Sequence, residues 1–231
     1  MEIIPSGDSA MIVRVSDNFA ADPEAALAAV LEARDRLCAA AIPGVIDIAP
    51  AYDSVGVFYD PARGLSGEAL CVAIREALER RAAKGKSPRR VVEIPVCYEG
   101  DFAPDLSEIA HVAGLSEREV VRRHAAAKYR VACVGFAPGF PYLSGLPVEL
   151  ATPRRATPRI VVPAGSVAIG GAQTGIYPHA SPGGWNVIGR TPRRLFEAGR
   201  AEPALLRAGD CVRFRVISLE EFERWNDETT C

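Results

Sequence analysis

The segment CVGFAPGFPYLSGLPVELATPRRATPRIVVPAGSVAIGGAQTGIYPHASPGGWNVIGRT, residues 133–191, packs half of the chain's 20 glycines and nearly half of its 18 prolines into about a quarter of its length. Proline fixes φ and withholds a ladder donor, while glycine reaches φ > 0 and admits close neighbours. Composition alone would read as a flexible linker. Between the breakers, however, lie apolar runs at Ile160–Val162, Val167–Ile169, Ile176–Tyr177 and Val187–Ile188. Short strands joined by sterically specified turns fit that alternation, as in a small β-barrel. Arg154, Arg155, Arg159, Gln173, Thr174 and His179 stand among the turns, so the segment carries the candidate functional surface.

Working outward, the spacing predicts strands at Tyr129–Val134, Arg159–Val162, Ser166–Ile169, Gln173–Tyr177, Trp185–Arg190 and Cys211–Ile217. Ser218-x-x-Glu221 then caps a short C-terminal helix ending near Trp225. The N-terminal part reads differently. Ala10–Val15 is a strand, Asp22-Pro23-Glu24 opens a helix, and Val45–Ile48 and Ser54–Tyr59 are two further strands. Ser66 caps a second helix with Leu70, Ile74 and Leu78 on one face, and Arg90–Val96 supplies a closing strand. The order β-α-β-β-α-β is the ferredoxin-like signature. The expected organisation is therefore an α+β domain over residues 1–94 and an all-β domain over 95–231, with a helical connector at 105–127.

That connector, DLSEIAHVAGLSEREVVRRHAAA, places two helices around Gly114-Leu115, with a capping box at Ser116-x-x-Glu119. It looks like a DNA-binding helix pair. Glu117 and Glu119 at the would-be reading end, and a net charge of −2 with pI near 6.0, argue against phosphate contacts and nucleic acid. A basic run, Lys84–Arg90, reads as a solvated loop, with an acidic partner as the alternative. No apolar run is long enough to span a membrane, and the N-terminus lacks a signal peptide's basic and apolar regions, so cytoplasm is expected. The six cysteines form no C-x-x-C pair and read as small hydrophobes, with a thiol nucleophile at Cys133 the alternative. Three histidines form no ligand-spaced cluster, so no metal is expected.

Ala151-Thr-Pro-Arg154 recurs as Ala156-Thr-Pro-Arg159, offering guanidiniums at fixed spacing on a proline-stiffened backbone. Planar Arg forks suit carboxylate and phosphate, though surface salt bridges would use the same residues. Gly165 and the Gly170–Gly175 stretch leave backbone N–H groups open or serve tight turns; neither a G-x-x-x-x-G-K-[ST] nor a strand-to-helix G-x-G-x-x-G loop occurs. His124 is either a satisfied core histidine or a proton-transfer group facing the barrel. Phe136, Phe140, Tyr142 and Trp185 either wall a pocket or fill a core.

Gly135-Phe-x-Pro-Gly-Phe-x-Tyr-Leu143, the paired Pro-Arg, Val162-Pro-x-Gly-Ser-Val167, Gln173-Thr-Gly-Ile-Tyr-Pro178, Ser181-Pro-Gly-Gly-Trp185 and Ile188-Gly-Arg-Thr191 follow one another in order. This series resembles the family of the 5-oxoprolinase B subunit, also described as KipI-type kinase inhibitors and allophanate hydrolase subunit 1. The resemblance implies a cyclophilin-like β-barrel after an α+β domain. It implies partners of the C-subunit type (allophanate hydrolase subunit 2-like) and of the LamB/YcsF type, with which such proteins open 5-oxoproline to glutamate at the expense of ATP. In related urea carboxylases the same pair of domains forms the carboxyltransferase region, and the inhibitor branch binds a sporulation histidine kinase.

On the enzymatic branch, the resemblance implies that the chain is a component of an ATP-dependent amidohydrolase, inactive alone. Arg155 and Arg159 are expected to hold carboxylate or phosphate. Gln173, Thr174 and Tyr177 would orient the lactam of a small anionic substrate, with His124 as proton-transfer partner. Phe136, Pro138, Gly183, Gly184 and Trp185 would complete the substrate surface. ATP would be shared with the partner subunits, since no phosphate loop is present here.

Overall fold

Glu2–Pro5 (β1) and Ala10–Arg14 (β2) form an antiparallel hairpin that continues into Ser54–Tyr59 (β4) and Val45–Ala51 (β3), giving the sheet order β1-β2-β4-β3. Helices Pro23–Ala40 (α1) and Gly67–Glu79 (α2) belong to the same unit, Met1–Pro88, one of two compact units into which the chain divides. Asp22 accepts from the Ala25 N–H at 3.0 Å and Pro23 sits in the first turn, which fixes where α1 begins. Val13, Val30, Leu37, Val55, Val57, Leu70 and Ile74 bury the apolar stripes of sheet and helices in one core. The computed structural model describes residues 1–80 and 90–228; the basic run Lys84–Arg90 lies, except for Arg90, outside the described residues.

The ferredoxin-like order is corrected by the destination of its last strand. Val91–Cys97 (β5) pairs in parallel with Cys211–Ile217 (β13) over all seven positions, in the second unit, Arg89–Cys231. The fourth strand of the N-terminal sheet is instead β1, four residues ending in proline. The physical reason is that apolar alternation states which face of a strand is buried but not which sheet it joins. Val92, Ile94 and Val96 find their cover inside the barrel.

The second unit is a closed barrel of seven strands, running in order through Gln173–Ile176 (β10), Pro141–Ser144 (β7), Tyr129–Val134 (β6), β13, β5, Asn186–Arg190 (β12) and Ser166–Gly170 (β9). Arg159–Val162 (β8), expected in the barrel, pairs outside it with Ser181–Gly183 (β11), and Ile160 is 87% exposed. Its short run of β-branched residues gives strand propensity without specifying a buried face.

The connector helices are Leu106–Ala113 (α3) and Glu117–Ala126 (α4). Leu106, Ile109, Ala110 and Val120 share the barrel's apolar core with Val131, Leu143, Ile169 and Phe214. They therefore pack into the barrel rather than presenting a reading helix. Gly114, at φ +64, ends α3 in the left-handed region that glycine adopts without steric cost. The Ser116 hydroxyl accepts from the Glu119 N–H, but the Glu119 carboxylate turns to Arg122 and Arg123 at 2.6–2.7 Å instead of closing the box. Helix Leu219–Glu228 (α5) completes the unit. Among the described residues Cys38, Cys71, Cys97 and Cys211 are free, and Cys97 and Cys133 are buried.

Candidate functional site

The tandem Ala-Thr-Pro-Arg loop is tied down at several points. The Arg155 N–H donates to the Gly184 carbonyl at 2.8 Å, Asn186 Nδ2 donates to the Pro153 carbonyl at 2.9 Å, and Thr152 bridges Gly171. These bonds hang the loop across β9, β11 and β12. Prolines 153 and 158 restrict the intervening backbone, so the arginines project from a nearly fixed frame.

Two of those arginines are occupied from within. Arg159 Nη1 and Nη2 donate to Asp105 Oδ2 and Oδ1 at 2.8 and 2.7 Å, and Arg155 Nη1 donates to Oδ1 at 2.9 Å. The Val187 N–H donates to Oδ2 at 2.7 Å, while Asp105's own N–H donates to the Val187 carbonyl at 3.0 Å. Asp105 immediately precedes α3, the position where an acidic side chain ordinarily caps, yet its carboxylate makes no capping bond. It is buried, and it holds Arg159 above its ordinary pKa chiefly through these hydrogen bonds. The carboxylate partner expected from a ligand is supplied by the chain itself. Two cations facing one carboxylate leave a net positive charge at the loop.

Arg154 is differently placed. It is exposed, with its guanidinium carbon 5.7 Å from the ring centroid of Trp185, within cation–π range. Trp185 belongs to an apolar cluster with Phe140, Val162, Ala168, Tyr177 and Val187. Phe140 meets Trp185 and Tyr177 edge-on at 5.6 and 5.2 Å, and Tyr142 meets Trp185 at 5.7 Å. The glycines make this packing feasible. A Cβ on Gly170 would lie 2.5 Å from the Trp185 ring, and one on Gly183 would lie 2.3 Å from the Tyr177 hydroxyl. Burial raises the Tyr177 pKa, against the opposing pull of a Trp185 backbone hydrogen bond and the Arg154 charge.

The Gly135–Gly139 loop continues the aromatic series outward. Phe136 sits at φ +67, is two-thirds exposed, and meets Phe140 edge-on at 5.6 Å. Residues 134–139, Pro138 among them, enclose a shallow cavity of about 300 Å3. The Gly135, Ala137 and Phe140 N–H groups bond within the loop; those of Phe136 and Gly139 have no partner among the described residues. A non-glycine residue held at positive φ marks a loop whose shape is imposed by its surroundings.

His124 lies away from this face, fully buried in the barrel. Thr174 Oγ1 donates to the Ala168 carbonyl at 2.9 Å, so at 3.1 Å it accepts from His124 Nε2. His124 Nδ1 then accepts from the Tyr98 hydroxyl at 2.9 Å. Both ring nitrogens are satisfied in one neutral tautomer, and the ring stacks on Phe214 at 4.7 Å. Burial lowers the His124 pKa to about 3. A charged imidazole has no place here, since the ring bonds two hydroxyls rather than a carboxylate.

The structure thus gathers Arg154, Arg155, Arg159, Tyr177, Gly183, Gly184 and Trp185 on one side of the barrel unit, joined through Phe140 to Phe136 and Pro138. It places His124 and Thr174 in the interior, linked to each other rather than to that face. Gln173 begins β10 and is half-buried. The sequence reading missed Asp105 and Tyr98, whose partners lie 26 to 82 residues away in the chain. Only the placement of an aspartate just before an apolar helix singled Asp105 out, and that signal pointed to a cap. Among the described residues no group of three or more His, Cys, Asp or Glu could hold a metal, and no helix is long and apolar enough to cross a membrane.

Residues 1–206 match the family model for the carboxyltransferase domain, subdomain C and D. A Bacillus subtilis protein, named as the B subunit of 5-oxoprolinase, is 41% identical over 96% of this chain and 95% of its own length. The Escherichia coli O157:H7 protein of the same name is 48% identical over 75% of this chain and 78% of its own. The crystal structure of TTHA0988 superposes with a TM-score of 0.77 at 40% identity, covering 90% of this chain. This chain spans only 40% of that structure's length.

Proposed function

The chain belongs to the family of the carboxyltransferase domain, subdomain C and D, and from that membership we propose that it is the B subunit of a 5-oxoprolinase. It acts with partners of the C-subunit and LamB/YcsF types to open 5-oxoproline to glutamate at the expense of ATP, and is inactive alone. Identity to the Bacillus relative over nearly the whole of both chains supports this reading over the urea-directed alternative.

The observation that carries the site assignment is the Asp105 carboxylate holding Arg155 and Arg159 while Arg154 stays free over Trp185. Arg155 and Arg159 are positioning residues, and Arg154 is the guanidinium that meets the substrate carboxylate. Trp185 and the Phe136–Pro138 loop flank the lactam ring, and Tyr177 backs that wall with Gly183 and Gly184. Gln173 orients the lactam from the start of β10. His124 and Thr174 act from the interior, fixing the strand that carries Gln173. An unactivated lactam needs its oxygen turned into a leaving group, and phosphoryl transfer from ATP does so. The positive loop then stabilises charge growing on substrate oxygens. The nucleotide is shared with the partner subunits.

The test is phosphate release from ATP by the assembled complex, with 5-oxoproline or urea supplied in turn. Release that needs both 5-oxoproline and this chain is expected. Release driven by urea, or by 5-oxoproline with this chain omitted, would overturn the reading.

A further inference from the structure

A second cavity of about 330 Å3, lined by none of the residues of the Arg154 face, opens beside α5. Its charged lining is Arg190, Arg193, Arg194 and Glu223, three positive groups against one negative. Two of the arginines are held in place by main-chain carbonyls: Arg190 Nε donates to Ala164 at 2.9 Å and Arg193 Nη1 donates to Glu93 at 3.2 Å. Arg190 also lies over the Phe102 ring at 5.5 Å. None of the three is ion-paired to a carboxylate among the described residues, although most other arginines of the chain are. Guanidiniums anchored to neutral carbonyls keep their full charge, and an apolar floor strengthens their field.

We infer that this cavity binds a phosphate-bearing small molecule. A phosphate group carries about −1.5 to −2 charges at neutral pH, which matches the net +2 of the lining; a monocarboxylate would neutralise half of it. Planar forks set around one concavity suit the several oxygens of a phosphate better than a single carboxylate edge. The walls beyond the arginines are Phe102, Phe222, Pro178 and Pro192, which accommodate an apolar or planar body attached to the phosphate. The volume lies at the small end of ligand pockets, enough for a phosphate and its immediate substituent. This inference does not depend on the 5-oxoprolinase reading, since it concerns residues that reading does not use.

Isothermal titration of the full chain with inorganic pyrophosphate, ATP and 5-oxoproline tests it. Saturable binding of pyrophosphate or ATP is expected, weakened about tenfold or more by Arg194→Glu, an exposed residue whose replacement leaves the core untouched. Glu223→Gln is expected to tighten binding about twofold to threefold, a direction that damage to the fold cannot produce. Saturation by both probes assigns recognition to the phosphates; saturation by ATP alone assigns it to the whole nucleotide. No saturable binding of either probe, affinity indifferent to Arg194→Glu, or 5-oxoproline displacing pyrophosphate at equal concentration would overturn the inference.

Discussion

Arg159 grips both carboxylate oxygens of Asp105, at 2.8 and 2.7 Å, across 54 residues of chain. The pair joins the start of β8 to the residue before α3, and through the Val187 N–H to β12. Asp105→Ala leaves two guanidiniums facing each other beside an unpaired amide. A loss of about 3–5 kcal/mol in unfolding free energy is expected from urea titration, since removing one partner strands the others. Arg155→Ala, at the more exposed end, should cost about 1 kcal/mol or less. Equal losses for the two would contradict the central place given to Asp105.

His124 makes stability sensitive to acid. Its pKa in the folded chain is about 3, below the ordinary value of 6.5, because burial disfavours the charged ring. The unfolded chain takes up a proton below pH 6.5 and the folded chain does not until about pH 3. Stability is therefore lost as pH falls through that window, by about 1.4 kcal/mol per pH unit from this residue. His124→Gln should be less stable at pH 7 yet show a shallower decline between pH 6.5 and 4.5. Parallel declines in thermal melting of the two proteins would refute the assignment.

Neighbouring glycines should respond unequally to the same change. Gly183→Ala drives a methyl into the Tyr177 hydroxyl and is expected to cost about 1–3 kcal/mol. At Gly184 the nearest atom to an added Cβ is Pro158 Cγ at 3.7 Å, so Gly184→Ala should change stability by less than about 0.5 kcal/mol. Comparable urea midpoints for both variants would contradict the packing described for the Tyr177–Trp185 wall.

How much of this was legible in the sequence depended on the range of each signal. Local ones read well: Asp22-Pro23, Ser66 and Ser116 each mark a helix start, because a cap acts within three residues. The glycine-proline rhythm of residues 133–191 pointed to a barrel, since turn chemistry is equally local. Non-local pairing did not read. The alternation in Val91–Cys97 suits any sheet, and only its parallel match to Cys211–Ile217 assigns it to the barrel. Pro141–Ser144 and Ser181–Gly183 were missed as strands because each carries a proline. At the site, sequence identified Arg155 and Arg159 as anion holders but could not say that the anion is Asp105, nor that His124 would find two hydroxyls inside the core.

The 5-oxoproline Michaelis constant of the assembled complex carrying Arg154→Ala tests the central claim most directly. If Asp105 spends Arg155 and Arg159 on structure and leaves Arg154 for the substrate carboxylate, KM should rise about tenfold or more, with melting temperature unchanged. An unaltered KM would contradict the account and move substrate recognition off this face of the barrel.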